Sequence, residues 1–146
     1  MTIYFDMDGT IADLYSFPNW LDHLKGGSTL PYTMAAPMLD MYELAALCSR
    51  LQNSGIKIGV ISWLAKNSSP DYDKNVRYEK REWLKRNFVI HFNTIHIVKY
   101  GTPKYKFLKE NDILFDDEFT NRDKWNAHGG RAYEPSEIFE ILAALV

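Results

Sequence analysis

The stretch TIYFDMDGTIADL, residues 2–14, decides the fold. Thr2 to Phe5 read as a short strand of β-branched and aromatic residues, and that strand runs directly into Asp6 and Asp8. Two residues apart on an extended chain, the two carboxylates point to the same side. Negative groups held that close repel one another unless a cation or a shared proton compensates them. Gly9 permits a tight turn immediately behind them, and Thr10 can cap the segment after it. A purely structural strand end has no use for this arrangement.

Outward from that stretch, short apolar runs alternate with helical ones. Residues 38–55, MLDMYELAALCSRLQNSG, place Leu44, Leu47, Cys48 and Leu51 on one helix face, with Asp40 and Glu43 as a cap and Gly55 as a stop. IKIGVI (56–61) predicts a second strand, TIHIV (94–98) a third, DILF (112–115) a fourth and GGRAY (129–133) a short fifth. Residues 73–88, DKNVRYEKREWLKRNF, predict a helix with a thin apolar face whose basic residues read as a solvated surface. Residues 135–146 close the chain as a helix, with Ile138, Ile141, Leu142 and Leu145 at helical spacing. This rhythm predicts an α/β, Rossmann-like three-layer fold with a mostly parallel sheet of about five strands covered on both faces.

In such sheets ligands bind beyond the carboxyl ends of the strands. Asp6 ends the first strand, Ser62 the second, and Asp116 with Asp117 the fourth, so the polar residues gather at one rim. Residues 13–37 break the rhythm, with Pro18, Gly26, Gly27, Pro31 and Pro37 among Tyr15, Phe17, Trp20 and Tyr32. They predict a small cap insert over that rim, inside a single domain spanning 1–146. Most of its aromatic side chains are expected to be packing bulk.

The bulk numbers narrow the function classes. With 46% hydrophobic and 25% charged residues the composition is that of a soluble globular protein, and a net charge of −2 carries no global basic bias for nucleic acid. The lone Cys48 excludes an intrachain disulfide and a cysteine-rich zinc site. His23, His91, His96 and His128 show no zinc-ligand spacing. No run is apolar enough to span a membrane and no leader pattern opens the chain, which makes the cytoplasm the default location.

Taken singly, each polar element has a plain structural reading. Ser62 could satisfy a strand-end backbone group, Lys104 and Lys106 could be exposed helix lysines, and the FDDE run could open a helix. Together and in this order, DMDGT (6–10), VIS (60–62), GTPK (101–104) and ILFDDE (113–118) resemble the four motifs of the haloacid dehalogenase-like (HAD) hydrolases, nearest in pattern to small 5'-nucleotidase-like phosphatases. That resemblance implies hydrolysis of a phosphate monoester through an aspartyl-phosphate. Asp6 would be the nucleophile, Asp8 the acid and then the base, and Lys104 or, as the alternative, Lys106 the charge-offsetting lysine. Ser62, with backbone N–H groups near Met7 and Trp63, would bind phosphate. A hard cation with oxygen ligands, magnesium, would be held by Asp6, the Asp8 carbonyl and one of Asp116 and Asp117. Trp63 stands where the family more often has a small or polar residue, and it offers a stacking surface. A small phosphorylated substrate, with nucleoside monophosphates first, is the expected partner. Nucleic-acid ends or a phosphoprotein are the alternative substrates, and a non-catalytic phosphoacceptor on the same fold is the alternative of another class.

Overall fold

A computed structural model describes all 146 residues. Seven strands and six helices follow in the order β1 (Thr2–Phe5), β2 (Ala12–Asp13), α1 (Trp20–Lys25), α2 (Leu30–Met34), β3 (Ala36–Pro37), α3 (Met41–Asn53), β4 (Lys57–Trp63), α4 (Pro70–Asn87), β5 (Thr94–Val98), β6 (Ile113–Phe115), α5 (Phe119–Ala127), β7 (Arg131–Tyr133) and α6 (Ile138–Leu145). The main sheet is wholly parallel in the order β5-β4-β1-β6-β7. The chain starts in the middle and winds first one way and then the other, so β1 lies at the topological switch point, where such sheets open a crevice.

Alternation along the strands sorts the core. Ile3, Phe5, Val60 and Phe115 join one large cluster with residues of α3, α4 and α6. Tyr4, Ile61 and Leu114 face the other way and pack on Trp125 of α5. Continued one step further, the same period places Asp6 and Asp116 on the α5 side of the sheet and Ser62 on the α4 side. Asp6 N–H bonds to the Phe115 carbonyl, which keeps the two strand ends level.

The local signals act largely where they stand in the sequence. Asp40 caps α3 by accepting from the N–H groups of Tyr42 and Glu43. In α4, Ser69 accepts from Tyr72 N–H and Pro70 occupies the first turn, so that helix begins three residues earlier than the sequence pattern predicts. Three details differ from expectation. β4 runs on through Trp63, which makes Ser62 the penultimate residue of a strand rather than its end. Lys104 opens a single 3₁₀ turn, Lys104–Phe107, with Pro103 ahead of it. Among the basic residues of α4 read as solvated, Lys80 instead lies buried in the apolar stripe.

Between β2 and β3, which pair as a short antiparallel ribbon, the chain carries α1 and α2. This segment is tied to α4. Tyr72 donates its hydroxyl proton to the Ser28 carbonyl (2.8 Å), Trp83 Nε1 donates to Ala35 O (2.7 Å), and Thr33 Oγ1 donates to Glu79 (2.8 Å). No helix is long and apolar enough to cross a membrane.

Candidate active site

The loop that leaves β1 is wound around one carbonyl. Met7 O accepts from the N–H groups of Thr10, Ile11 and Ala12, and Gly9 N–H bonds to Ala12 O. The winding needs a φ of +80° at Gly9, and a Cβ there would lie 2.4 Å from Asp117 Oδ2. Only glycine lets the two strand-end loops approach this closely.

Asp6 is buried and its two oxygens are claimed from different sides. Lys104 Nζ donates to Oδ1 at 2.9 Å and Thr10 Oγ1 to Oδ2 at 2.9 Å. The same Lys104 Nζ donates to Asp116 Oδ2 at 2.7 Å. Asp116 also accepts from Asn121 Nδ2 on that oxygen and from Glu118 N–H on the other, so both its oxygens are engaged. Asp117 is exposed; its carboxylate lies 3.4 Å from Thr10 Oγ1, while its own N–H bonds to that hydroxyl. Lys106 is exposed, with its ammonium over the Phe107 ring and no carboxylate within ion-pair range.

Carboxylate oxygens of Asp6, Asp116 and Asp117 all lie within 4.8 Å of one another. Three such groups and one ammonium leave two negative charges uncompensated in a poorly solvated place. The strain shows in the proton affinities. Desolvation, then the Asp6 charge, pushes Asp117 up to about 8, and the same causes raise Asp116. Burial works to lower the Lys104 pKa, but Asp6 and Asp116 outweigh it and leave the ammonium firmly charged. Oxygen-only donors with a double negative excess fit a hard divalent cation such as magnesium, with Asp6 and the less encumbered Asp117 as its side-chain holders.

A second buried lysine stands opposite the first. Lys80, 1% exposed, reaches from α4 to donate to Asp8 Oδ2 (2.9 Å), Ser62 Oγ (2.7 Å) and Trp63 O (2.8 Å). Its ammonium also lies 5.1 Å from the centre of the Tyr32 ring of the insert. Ser62 is fully buried beneath the rim rather than open to it. Because Lys80 fills one acceptor site on its oxygen, the Ser62 proton remains to be donated. The sequence reading missed Lys80 altogether. The signal was its place, four residues after Val76 and three before Trp83, on the stripe that α4 buries.

The acidic cluster, Lys104 and Asp8 open on a cavity of about 770 Å³, which neither Ser62 nor Lys80 lines. Asp6, Asp8, Lys104, Asp116 and Asp117 form its floor, and Leu14, Tyr15, Trp20 and Leu24 of the insert form one wall. Tyr15 is half exposed and meets Trp20 edge-on at 5.0 Å, so these rings face the cavity as well as one another; Phe17 instead packs on His23. Trp63 also lines the cavity. Its indole N–H is held by Thr102 O at 2.8 Å, and its ring lies 5.5 Å from the Lys104 ammonium. Of the histidines, His96 stacks on Phe107 and His128 on Tyr105, away from the acidic cluster.

No family model matches the chain, and no curated protein matches it either. Among solved structures it is similar to D,D-heptose 1,7-bisphosphate phosphatase from Burkholderia thailandensis, with a TM-score of 0.55 over 97% of this chain and 98% of that one. The two share 11% of their residues, so the likeness is one of fold. The fold shared with that phosphatase is an α/β, Rossmann-like arrangement with a five-stranded parallel sheet flanked by helices.

Proposed function

We propose that this protein is a magnesium-dependent phosphatase that hydrolyses a phosphate monoester through an aspartyl-phosphate on Asp6. One observation carries the reading: carboxylates from two separate strand ends converge on a cavity floor beside a buried lysine. Held on Asp6 and Asp117, with the Asp8 carbonyl as the further ligand, magnesium would offset charge on the phosphoryl oxygens.

In the first step an Asp6 oxygen attacks phosphorus in line, the bond from phosphorus to the ester oxygen breaks, and Asp8 gives that oxygen a proton. In the second, water attacks the aspartyl-phosphate, Asp8 takes a water proton, and the bond from phosphorus to Asp6 breaks to release phosphate. Lys104 sits against the nucleophile and offsets the charge that grows on the transferring group. Ser62, through its remaining proton, and Trp63, through its backbone N–H, are the proposed phosphate contacts.

For the substrate we favour a small phosphorylated molecule, a nucleoside monophosphate first. The aromatic walls of Tyr15, Trp20 and Trp63 support a flat, partly apolar group beside the phosphate. The test is hydrolysis of nucleotides, sugar phosphates and terminal-phosphate oligonucleotides, with and without magnesium. Asp6→Asn is expected to abolish turnover while the circular dichroism spectrum stays unchanged. Full activity in that variant would falsify the mechanism. A phosphorylated Asp6 that persists without turnover would instead favour the phosphoacceptor reading.

A further inference from the structure

Two buried lysines grip the floor from opposite faces of the sheet, and the proposed chemistry uses only Lys104. We infer that Lys80 is a positioning residue of the active centre, which aims Asp8 at the substrate from an anchorage on Ser62 and Trp63; this rests on the phosphatase reading. Its ammonium has three N–H donors and three acceptors, Asp8 Oδ2, Ser62 Oγ and Trp63 O, so nothing in its bonding is left to solvent.

Lys80 is also the one protein group that bonds the Asp8 carboxylate. That carboxylate lines the cavity, with its side chain 17% exposed. One oxygen is tethered below the floor, so the other is presented upward, where the ester oxygen would lie. Without the tether the carboxylate can rotate away, and a proton donor works only within hydrogen-bond reach of the atom it serves. The same ammonium sets the Ser62 hydroxyl. By occupying an acceptor site on Oγ from beneath, it leaves the O–H to point elsewhere.

Burial shows how strongly the tether is built. A lysine four residues after Val76 and three before Trp83 replaces an apolar side chain in the core stripe of α4. An ammonium taken out of water needs close, well-aimed partners. A core of ordinary purpose would place a leucine there. Contact with the Tyr32 ring adds a second link, from the insert to the residue that orients the acid.

The experiment compares kcat/KM for an alkyl phosphate with that for p-nitrophenyl phosphate, in wild type, Lys80→Met, Asp8→Asn and the double variant, all with magnesium. kcat/KM reports the step that forms the aspartyl-phosphate, and only the alkyl leaving group needs a proton there. Lys80→Met is expected to lower the alkyl value by roughly 30-fold or more and the nitrophenyl value by less than about threefold, within the span of general acid effects. Once Asp8 is Asn, it should cost no more than the roughly threefold that a disturbed Ser62 takes from both esters. Equal losses on both esters, or additive losses with Asp8→Asn, would mean that Lys80 serves the fold alone and would overturn the inference. Wild type turning over neither ester would remove the phosphatase reading and this inference with it.

Should Lys80→Met fail to fold, the wild-type protein labelled with ¹⁵N-lysine supplies the second measurement. A solvent-protected Nζ signal that moves in both Asp8→Asn and Ser62→Ala is expected. A Nζ signal indifferent to both substitutions would sink the tether.

Discussion

At Gly9 the left-handed backbone and the neighbouring Asp117 act together. Gly9→Ala would put an L-residue where it costs about 1–2 kcal/mol, and its methyl group would strike the Asp117 carboxylate. Titration calorimetry should show weaker magnesium binding and urea denaturation a lower stability; an unchanged magnesium affinity would mean that Asp117 is no ligand. Asp117 makes a separate prediction for the metal-free protein. Its carboxyl is pushed up to about 8, so the folded form holds its proton more tightly than the unfolded form. The resulting stabilisation is fully present below about pH 4, the ordinary carboxylate range, and is lost as the pH rises through 8. The thermal midpoint of metal-free wild type should therefore fall over that window, and Asp117→Asn should flatten the fall. A wild-type midpoint that climbs steadily across it would contradict the crowded-carboxylate account.

At the scale of elements, α4 joins what the sheet and the insert each supply. It places Lys80 under the floor and fastens the insert through Tyr72, Glu79 and Trp83. The insert is thereby docked along α4 rather than hung from β2 and β3 alone. Trp83→Phe keeps the buried ring but leaves the Ala35 carbonyl without its donor, a loss of about 1–3 kcal/mol. Hydrogen exchange across residues 14–35 should then speed up, and KM should rise more than kcat falls, because the insert forms a wall of the cavity and not its floor. Unchanged exchange in that segment would show that the wall stands without α4.

Across the whole molecule, the sheet order brings distant charges together at the expense of local stability. β1 and β6 are neighbours, so Asp6 and Asp116, far apart along the chain, meet with Asp117 in one cluster. Part of the core's free energy holds that repulsion in place, and the proposed magnesium would relieve it. Magnesium should raise the thermal midpoint in proportion to the logarithm of its concentration, by about 2.7 kcal/mol of added stability at one hundred times Kd. The shift should shrink in Asp117→Asn and vanish on chelation. Magnesium without effect on either variant or wild type would remove the metal from the mechanism.

Much of this architecture was legible because its signals are local. Strand length, the Asp40 start and Gly55 stop of α3 and the carboxylate pairs at the strand ends are patterns over a few residues, and backbone sterics and side-chain period translate them directly. Pro103, suited to the first turn of a helix, is likewise a local signal that favours Lys104 over Lys106 as the lysine reaching the rim, and in the folded chain only Lys104 touches the cluster. Lys80 was illegible for the opposite reason. A lysine among arginines and glutamates reads as solvated, and only packing α4 against Ser62 and Asp8 shows that its charge lies inside. Sequence alone therefore determined the α/β order and the acidic rim, since both derive from short-range geometry. Tertiary structure decided which lysines are buried, which oxygens remain free and how wide the cavity is, because those depend on groups that meet only when the sheet closes.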